Sequence, residues 1–283
     1  MDRSVFTSIK TVERDGFVME YGLAGHKHAP TLLLLHAIRN TKMLFAGIIP
    51  DLAAHFRIVA VDLRGHGHSV EQSTFSFDAI VDDLIGLLDA ESLDQVTVVA
   101  SSFSSVPAQM LAVRRPERIA RLILLDGGYY RLGEVPGFQL DQVVKRLALA
   151  RFSSVQEAER QFADRYGEGK LPSGWMKSEL EGKEDGKLGY RLPREAFIGY
   201  FSDYAAFDKD ALFQAITCPV LVLLADERFL PDDEQRAFHR AAVAFYQQTV
   251  KHAKIHSIPG ALHLLMVSHP EETVKEIRSF LAN

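Results

Sequence analysis

Residues Val96–Asp126 read VTVVASSFSSVPAQMLAVRRPERIARLILLD. A short β-branched run, Val96–Val99, enters a small-residue turn at Ala100–Ser104. A helical pattern follows, and then a second apolar run, Leu122–Asp126. Strand, turn, helix and strand in about thirty residues is the size of one parallel crossover unit. Further runs of strand length flank it at Thr31–His36 (TLLLLH), Arg57–Asp62 (RIVAVD) and Val220–Leu224 (VLVLL). They are continuously apolar rather than alternating, as expected of strands covered on both faces. Between them Asp78–Ala90 carries Ile80, Val81, Leu84, Leu87 and Leu88 at helical spacing. A last helix is expected from Pro270, with Glu271 and Glu272 complementing its dipole and Val274, Ile277, Phe280 and Leu281 on its apolar face. At the front, Val5–Val12 and Phe17–Tyr21 flank Arg14-Asp15-Gly16 and read as an antiparallel hairpin. The fold class is α/β, a doubly wound and mostly parallel sheet.

The alternation stops between Arg131 and Leu212. Charged residues make up about a third of that stretch and about a fifth of the rest. Helical patterns occur at Leu140–Phe152, Ser154–Tyr166 and Glu195–Phe207, with a Gly- and Lys/Glu-rich loop around Glu181–Gly189 and no strand-like run. Residues 131–212 therefore read as an inserted helical cap. Residues 1–130 and 213–283 read as the two parts of one α/β core. Of the eleven aromatics in the insertion, nine are singled out (Phe138, Phe152, Tyr166, Trp175, Tyr190, Phe197, Tyr200, Phe201 and Tyr204), mostly expected in packing, with a few lining an apolar substrate cavity.

Composition narrows the function classes. With 283 residues, 47% of them hydrophobic, the chain can bury a sizeable core. The 32 Lys+Arg against 37 Asp+Glu leave a net charge of −5 and no general pull toward nucleic acid or an anionic membrane. The single cysteine, Cys218, excludes an intramolecular disulfide and a cysteine-rich zinc site. No apolar run approaches the roughly 20 residues of a membrane-spanning helix, and MDRSVFTSIKTVERDG has no signal-peptide core. A cytoplasmic location is expected, with a small-molecule substrate and neither nucleic acid nor membrane as partner.

Three windows carry the chemistry. The turn Ala100-Ser101-Ser102-Phe103-Ser104 lies between a strand and a helix. HAIRN, residues 36–40, closes the first core strand. Ile258-Pro259-Gly260-Ala261-Leu262-His263 precedes the final helix. In these windows the chain resembles the α/β-hydrolase fold superfamily, of the capped serine hydrolase type, whose nucleophile elbow is G-x-S-x-G. Both motif glycines are replaced, by Ala100 and Ser104. The resemblance covers nearly the whole chain apart from the insertion. It implies Ser102 as nucleophile, His263 as general base, and an oxyanion hole from the backbone N–H groups of Ile38 and Phe103. His36 then serves to orient its loop, and Arg39 is a candidate for binding an anionic substrate group.

The acid is open. The family usually places it four residues before a proline after the strand corresponding to Val220–Leu224, and in LLADERFLPDD that position is Glu227. Asp226 lies one residue away. Some family members take the acid from the end of the preceding core strand, here Asp126. Glu227 is preferred, with Asp126 and Asp226 as alternatives.

The segment Arg64–Ser69 pairs His66 with His68, but no third metal ligand accompanies them. No phosphate-cradling glycine motif occurs, so neither metal nor cofactor is expected. The resemblance implies a serine hydrolase acting on a small ester, lactone or related acyl or C–C substrate. Two other readings stand beside it. The altered elbow glycines suit a hydrolase-derived small-molecule receptor or signalling protein with little turnover. The same fold also hosts cofactor-independent oxygenase or lyase chemistry.

Overall fold

A computed structural model describes residues 5–14, 16–69, 74–167 and 170–282. Eight strands form one sheet in the order β1-β2-β4-β3-β5-β6-β9-β10. The hairpin β1 (Ser8–Arg14) and β2 (Phe17–Ala24) is antiparallel, and β2 pairs antiparallel with β4 (Arg57–Val61). From β4 onward the sheet is parallel through β3 (Thr31–Leu35), β5 (Val96–Ser101), β6 (Ile119–Leu125), β9 (Val220–Leu224) and β10 (Ala253–Ser257).

The continuous apolar runs belong to the inner strands. Leu32–Leu35, Ile58–Val61 and Leu122–Leu125 are essentially inaccessible. Two apolar clusters, one on each face of the sheet, account for this burial. Flanking helices cover both faces: α1 (Ile49–Ala53), α2 (Phe77–Ala90), α3 (Ser105–Arg114) and, toward the C-terminus, α9 (Asp233–Thr249), α10 (Leu265–Ser268) and α11 (Pro270–Leu281). Helix α2 begins where the Ser76 hydroxyl accepts the N–H of Ala79, and it buries Ile80, Val81, Leu84, Leu87 and Leu88. Pro270 opens α11 as its spacing predicts, with Val274, Ile277 and Phe280 buried and Leu281 half-buried.

Between β6 and β9 the chain leaves the main sheet. It forms α4 (Leu140–Ala148), α5 (Val155–Tyr166), α6 (Trp175–Glu179), the short strands β7 (Leu180–Gly182) and β8 (Leu188–Tyr190), α7 (Arg194–Ala206) and α8 (Lys209–Ala215). The strand pair corrects the expectation of a strand-free insertion. The Lys/Glu-rich stretch is an antiparallel hairpin, Leu180 opposite Tyr190, extended by a bridge from Phe152 to Leu188. Its three-residue strands are too short to show a period-2 pattern.

The insertion is tied to the loops that follow the parallel strands. The Tyr200 hydroxyl donates to the carbonyl of Arg64 (2.8 Å), and the N–H of Gly128 donates to the Tyr204 hydroxyl (3.0 Å). The amide of Asn40 donates to Glu179 (2.5 Å), and the hydroxyls of Thr41 and Ser178 meet at 2.6 Å. Eight of the nine aromatics singled out in the insertion are buried, Phe138 being the exception. All these anchors lie past the carboxyl ends of the parallel strands, where open α/β sheets place their ligand crevice.

Candidate active site

Strand β5 ends at Ser101, and Ser102 turns the chain into a short 3-10 turn that continues as α3. Ser102 has φ +57°, a left-handed conformation that a non-glycine residue adopts at an energetic cost of about 1–3 kcal/mol. Asp126, at the end of β6, has φ +52°, and Arg39, after β3, has φ +63°. Three strand-end loops thus each hold one side chain in the same uncommon backbone region.

The bends bring three of the candidate side chains into a chain of hydrogen bonds. His263 Nε2 lies 2.9 Å from Ser102 Oγ, and His263 Nδ1 lies 2.6 Å from Asp126 Oδ2. Asp126 Oδ1 accepts the N–H of Ala225 at 3.0 Å, which fixes the carboxylate's orientation. With Asp126 ionised, the imidazole carries its proton on Nδ1 and donates it to the carboxylate. Nε2 is then left to accept from the Ser102 hydroxyl.

The preferred acid, Glu227, is elsewhere. Its carboxylate pairs with Arg240 at 3.1 Å, and both side chains are about half exposed. Asp226 is also engaged away from the imidazole. It accepts from the Arg228 guanidinium (2.6 Å) and from the N–H of Gly260 (2.7 Å), and these bonds, led by the Arg228 side chain, hold its carboxyl well below the usual carboxylate range. The carboxylate placed against His263 is therefore Asp126 and not the expected Glu227. The reason is sheet order: β6 is the immediate neighbour of β5, whereas Glu227 follows β9, one strand further out. Asp226 retains a structural part. Its side chain holds Gly260, and its own N–H donates to the carbonyl of Ala261 (2.9 Å), so it anchors the loop that carries His263.

The replaced elbow glycines have local explanations. Ser104 has φ −69°, an ordinary helical value, so no glycine is required there. Its hydroxyl is fully buried, donates within reach of the carbonyls of Leu35 and Ser101 (both 3.0 Å) and accepts the N–H of Ser101 (3.1 Å). The close approach that the motif glycines would permit is supplied from the opposite side. A Cβ on Gly127 would lie 2.4 Å from the Ser102 carbonyl oxygen, and one on Gly128 would lie 2.5 Å from Ser105 Cβ. A residue pair, Gly127-Gly128, is thus part of the elbow, although it lies 25 residues along the chain in the loop after β6. The signal for it was the LLDGG sequence.

Around the serine, Phe103 is buried and stands in the first turn of the helix, where N–H groups have no intrahelical acceptor. The Ile38 N–H has no acceptor among the described residues. His36 is buried, with Nε2 accepting the N–H of Leu63 (3.0 Å) and Nδ1 donating to the carbonyl of Ala37 (2.8 Å). Burial lowers its pKa to about 4, so it is a neutral strut holding the Ile38 loop. His66 is buried against His36, ring centroids 4.7 Å apart, and its Nδ1 donates to the carbonyl of Arg64. Among the described residues no three His, Cys, Asp or Glu side chains group as a metal ion would require, and no helix is long and apolar enough to cross a membrane. A cavity of about 520 Å³ reaches His263 and Asp126 from the side of Tyr129, Tyr130 and Phe229.

Residues 30–270 match the model of the alpha/beta hydrolase fold family. The chain belongs to that family. It is a hydrolase, as its relatives are. The full-length relatives include the proline iminopeptidase PfmaB of Pestalotiopsis fici, 26% identical over 96% of this chain and 99% of its own. An uncharacterized hydrolase of Saccharomyces cerevisiae is 34% identical, over 42% of each chain only. Among solved structures, an E-2-(acetamidomethylene)succinate hydrolase superposes with a TM-score of 0.81 at 22% identity, covering 98% of this chain and 99% of its own. The fold of this alpha/beta hydrolase is therefore shared end to end, insertion included.

Proposed function

We propose that this hydrolase cleaves a small ester, lactone or related acyl substrate through a Ser102–His263–Asp126 triad. The observation that carries the reading is the unbroken hydrogen-bond chain from Ser102 Oγ through both imidazole nitrogens to Asp126. In the first step Ser102 Oγ attacks the acyl carbon while Nε2 of His263 takes the hydroxyl proton. Asp126 stabilises the imidazolium that forms and keeps the ring in the required tautomer. The carbonyl oxygen becomes an alkoxide, and the N–H groups of Ile38 and Phe103 receive it. Removing one such donor typically raises the barrier by about 2.7–4 kcal/mol. His263 then protonates the leaving group, and water, activated by the same imidazole, releases the acid from Ser102.

The helices between β6 and β9 act in this reading as a cap over the carboxyl edge of the sheet, limiting the site to small molecules. The altered glycines, which motivated a receptor reading, do not weigh against catalysis. Ser104 is satisfied in place, and Gly127 restores the close packing behind Ser102. A fluorophosphonate probe tests the assignment. The wild-type enzyme is expected to label at one site and to hydrolyse nitrophenyl esters, and Ser102→Ala to do neither. Equal labelling of the two proteins would remove Ser102 from the role.

A further inference from the structure

A second cavity, of about 470 Å³, opens where the β3 loop meets the insertion, and its charge is one-sided. Arg39, Arg146, Arg151 and Arg165 line it, with Phe162 and Tyr190 among the apolar walls and no carboxylate. Arg151 is committed to Asp185 and to the carbonyls of Ala148 and Ala150. Among the described residues the other three form no ion pair and donate no hydrogen bond, and Arg39 interacts electrostatically with the buried Glu179. Arg39 is half-buried, its guanidinium 4.8 Å from the Tyr190 ring centroid and 5.2 Å from that of Phe162. Stacking on ring faces occupies the flat faces of a guanidinium and leaves its edge N–H donors free, the arrangement suited to gripping a carboxylate with two parallel bonds.

The nearest buried acid does not cancel this charge. Glu179 is fully buried beside Arg39, and desolvation pushes its carboxyl up to about 8, which favours its uncharged form at pH 7. The location also matters. Arg39 directly follows Ile38, and Arg165 lines both this cavity and the one that reaches His263. An anionic group held here would belong to a molecule whose other end lies at Ser102.

The geometry points to a substrate that carries a carboxylate remote from its scissile acyl group, with Arg39, Arg165 and Arg146 as the anion subsite. The assignment rests on the acyl-hydrolase reading and adds the substrate class to it. Arg39 sets the orientation from within the cavity, and the exposed Arg146 and Arg165 close over the anion from α4 and α5.

Paired esters test it. Nitrophenyl hydrogen glutarate and its neutral methyl ester differ only in the remote charge. The wild-type enzyme should favour the acid by at least tenfold in kcat/KM. In Arg39→Met and in Arg165→Gln that ratio should fall toward one, mainly through KM of the acid. A wild-type ratio of one or below, or a ratio unmoved by both substitutions, overturns the subsite. A readout without turnover separates this result from the triad: calorimetric binding of glutarate to Ser102→Ala, expected to disappear with Arg39→Met added. Glutarate binding by a protein that never labels with fluorophosphonate would leave the subsite standing and remove the hydrolytic triad. Turnover of the neutral ester without glutarate binding would do the reverse.

Discussion

Replacing Asp126 by Asn is the sharpest test of the site, because both oxygens of this carboxylate must accept from N–H donors. Oδ2 accepts a hydrogen bond from His263 Nδ1 at 2.6 Å, and Oδ1 accepts one from the Ala225 N–H at 3.0 Å. An amide has one acceptor and one donor end. If its NH2 faces His263, Nδ1 must accept, the ring proton moves to Nε2, and the histidine can no longer take the proton of Ser102. If its oxygen faces His263, the NH2 meets the Ala225 N–H donor to donor. Either arrangement also removes the negative charge that stabilises the imidazolium. Loss of a triad acid with the geometry otherwise kept lowers turnover by about 10⁴, equivalent to about 5.5 kcal/mol of barrier. Glu227→Gln touches only an exposed pair with Arg240, worth about 0–1 kcal/mol, and should change kcat less than about threefold. The assay is nitrophenyl ester hydrolysis with the rate of fluorophosphonate labelling measured in parallel. Asp126→Asn retaining more than a tenth of wild-type activity, or Glu227→Gln losing a hundredfold, would refute the reasoning.

Two stability predictions follow from the surroundings of the site. Ser104→Gly restores the family's elbow glycine yet should destabilise the enzyme by about 2–3 kcal/mol in chemical denaturation. It strands the buried Ser101 N–H and loosens a helical position, at about 1–3 kcal/mol for an unsatisfied group and up to about 1 for glycine. A variant as stable as wild type would show those bonds to be idle. His36, neutral in the fold with a pKa of about 4, titrates in the unfolded chain near about 6.5. The unfolded state therefore binds more protons between those values, and folding stability should fall as pH drops from about 6.5 to about 4, by up to about 3 kcal/mol from this residue. Denaturation curves for wild type and His36→Gln across that window check it, and equal pH slopes would remove His36 as the cause.

Sequence pattern by itself determined the parallel core, the serine turn and the histidine loop. Continuous apolar runs such as TLLLL and LILL are the direct mark of strands covered on both faces. A small-residue turn between strand and helix is a local feature that local sequence encodes. The Pro259-Gly260 turn before α11 is equally local. These readings needed no knowledge of which strands are neighbours.

Tertiary structure decided which carboxylate meets His263. Spacing from Pro231 favoured Glu227, but reach to His263 depends on lateral position in the sheet, and the order β5-β6-β9 puts Asp126 beside Ser102. The same holds for the glycine that lets the elbow pack: position 127 substitutes in space for a motif position near 102. The arginine-lined cavity likewise gathers residues 39, 146, 151 and 165 from three separate segments. Linear order records neighbours along the chain, whereas hydrogen bonds and electrostatic fields act over a few ångströms across it. The local turns were therefore legible in advance, and the partners that complete them became visible only once the strands were in register.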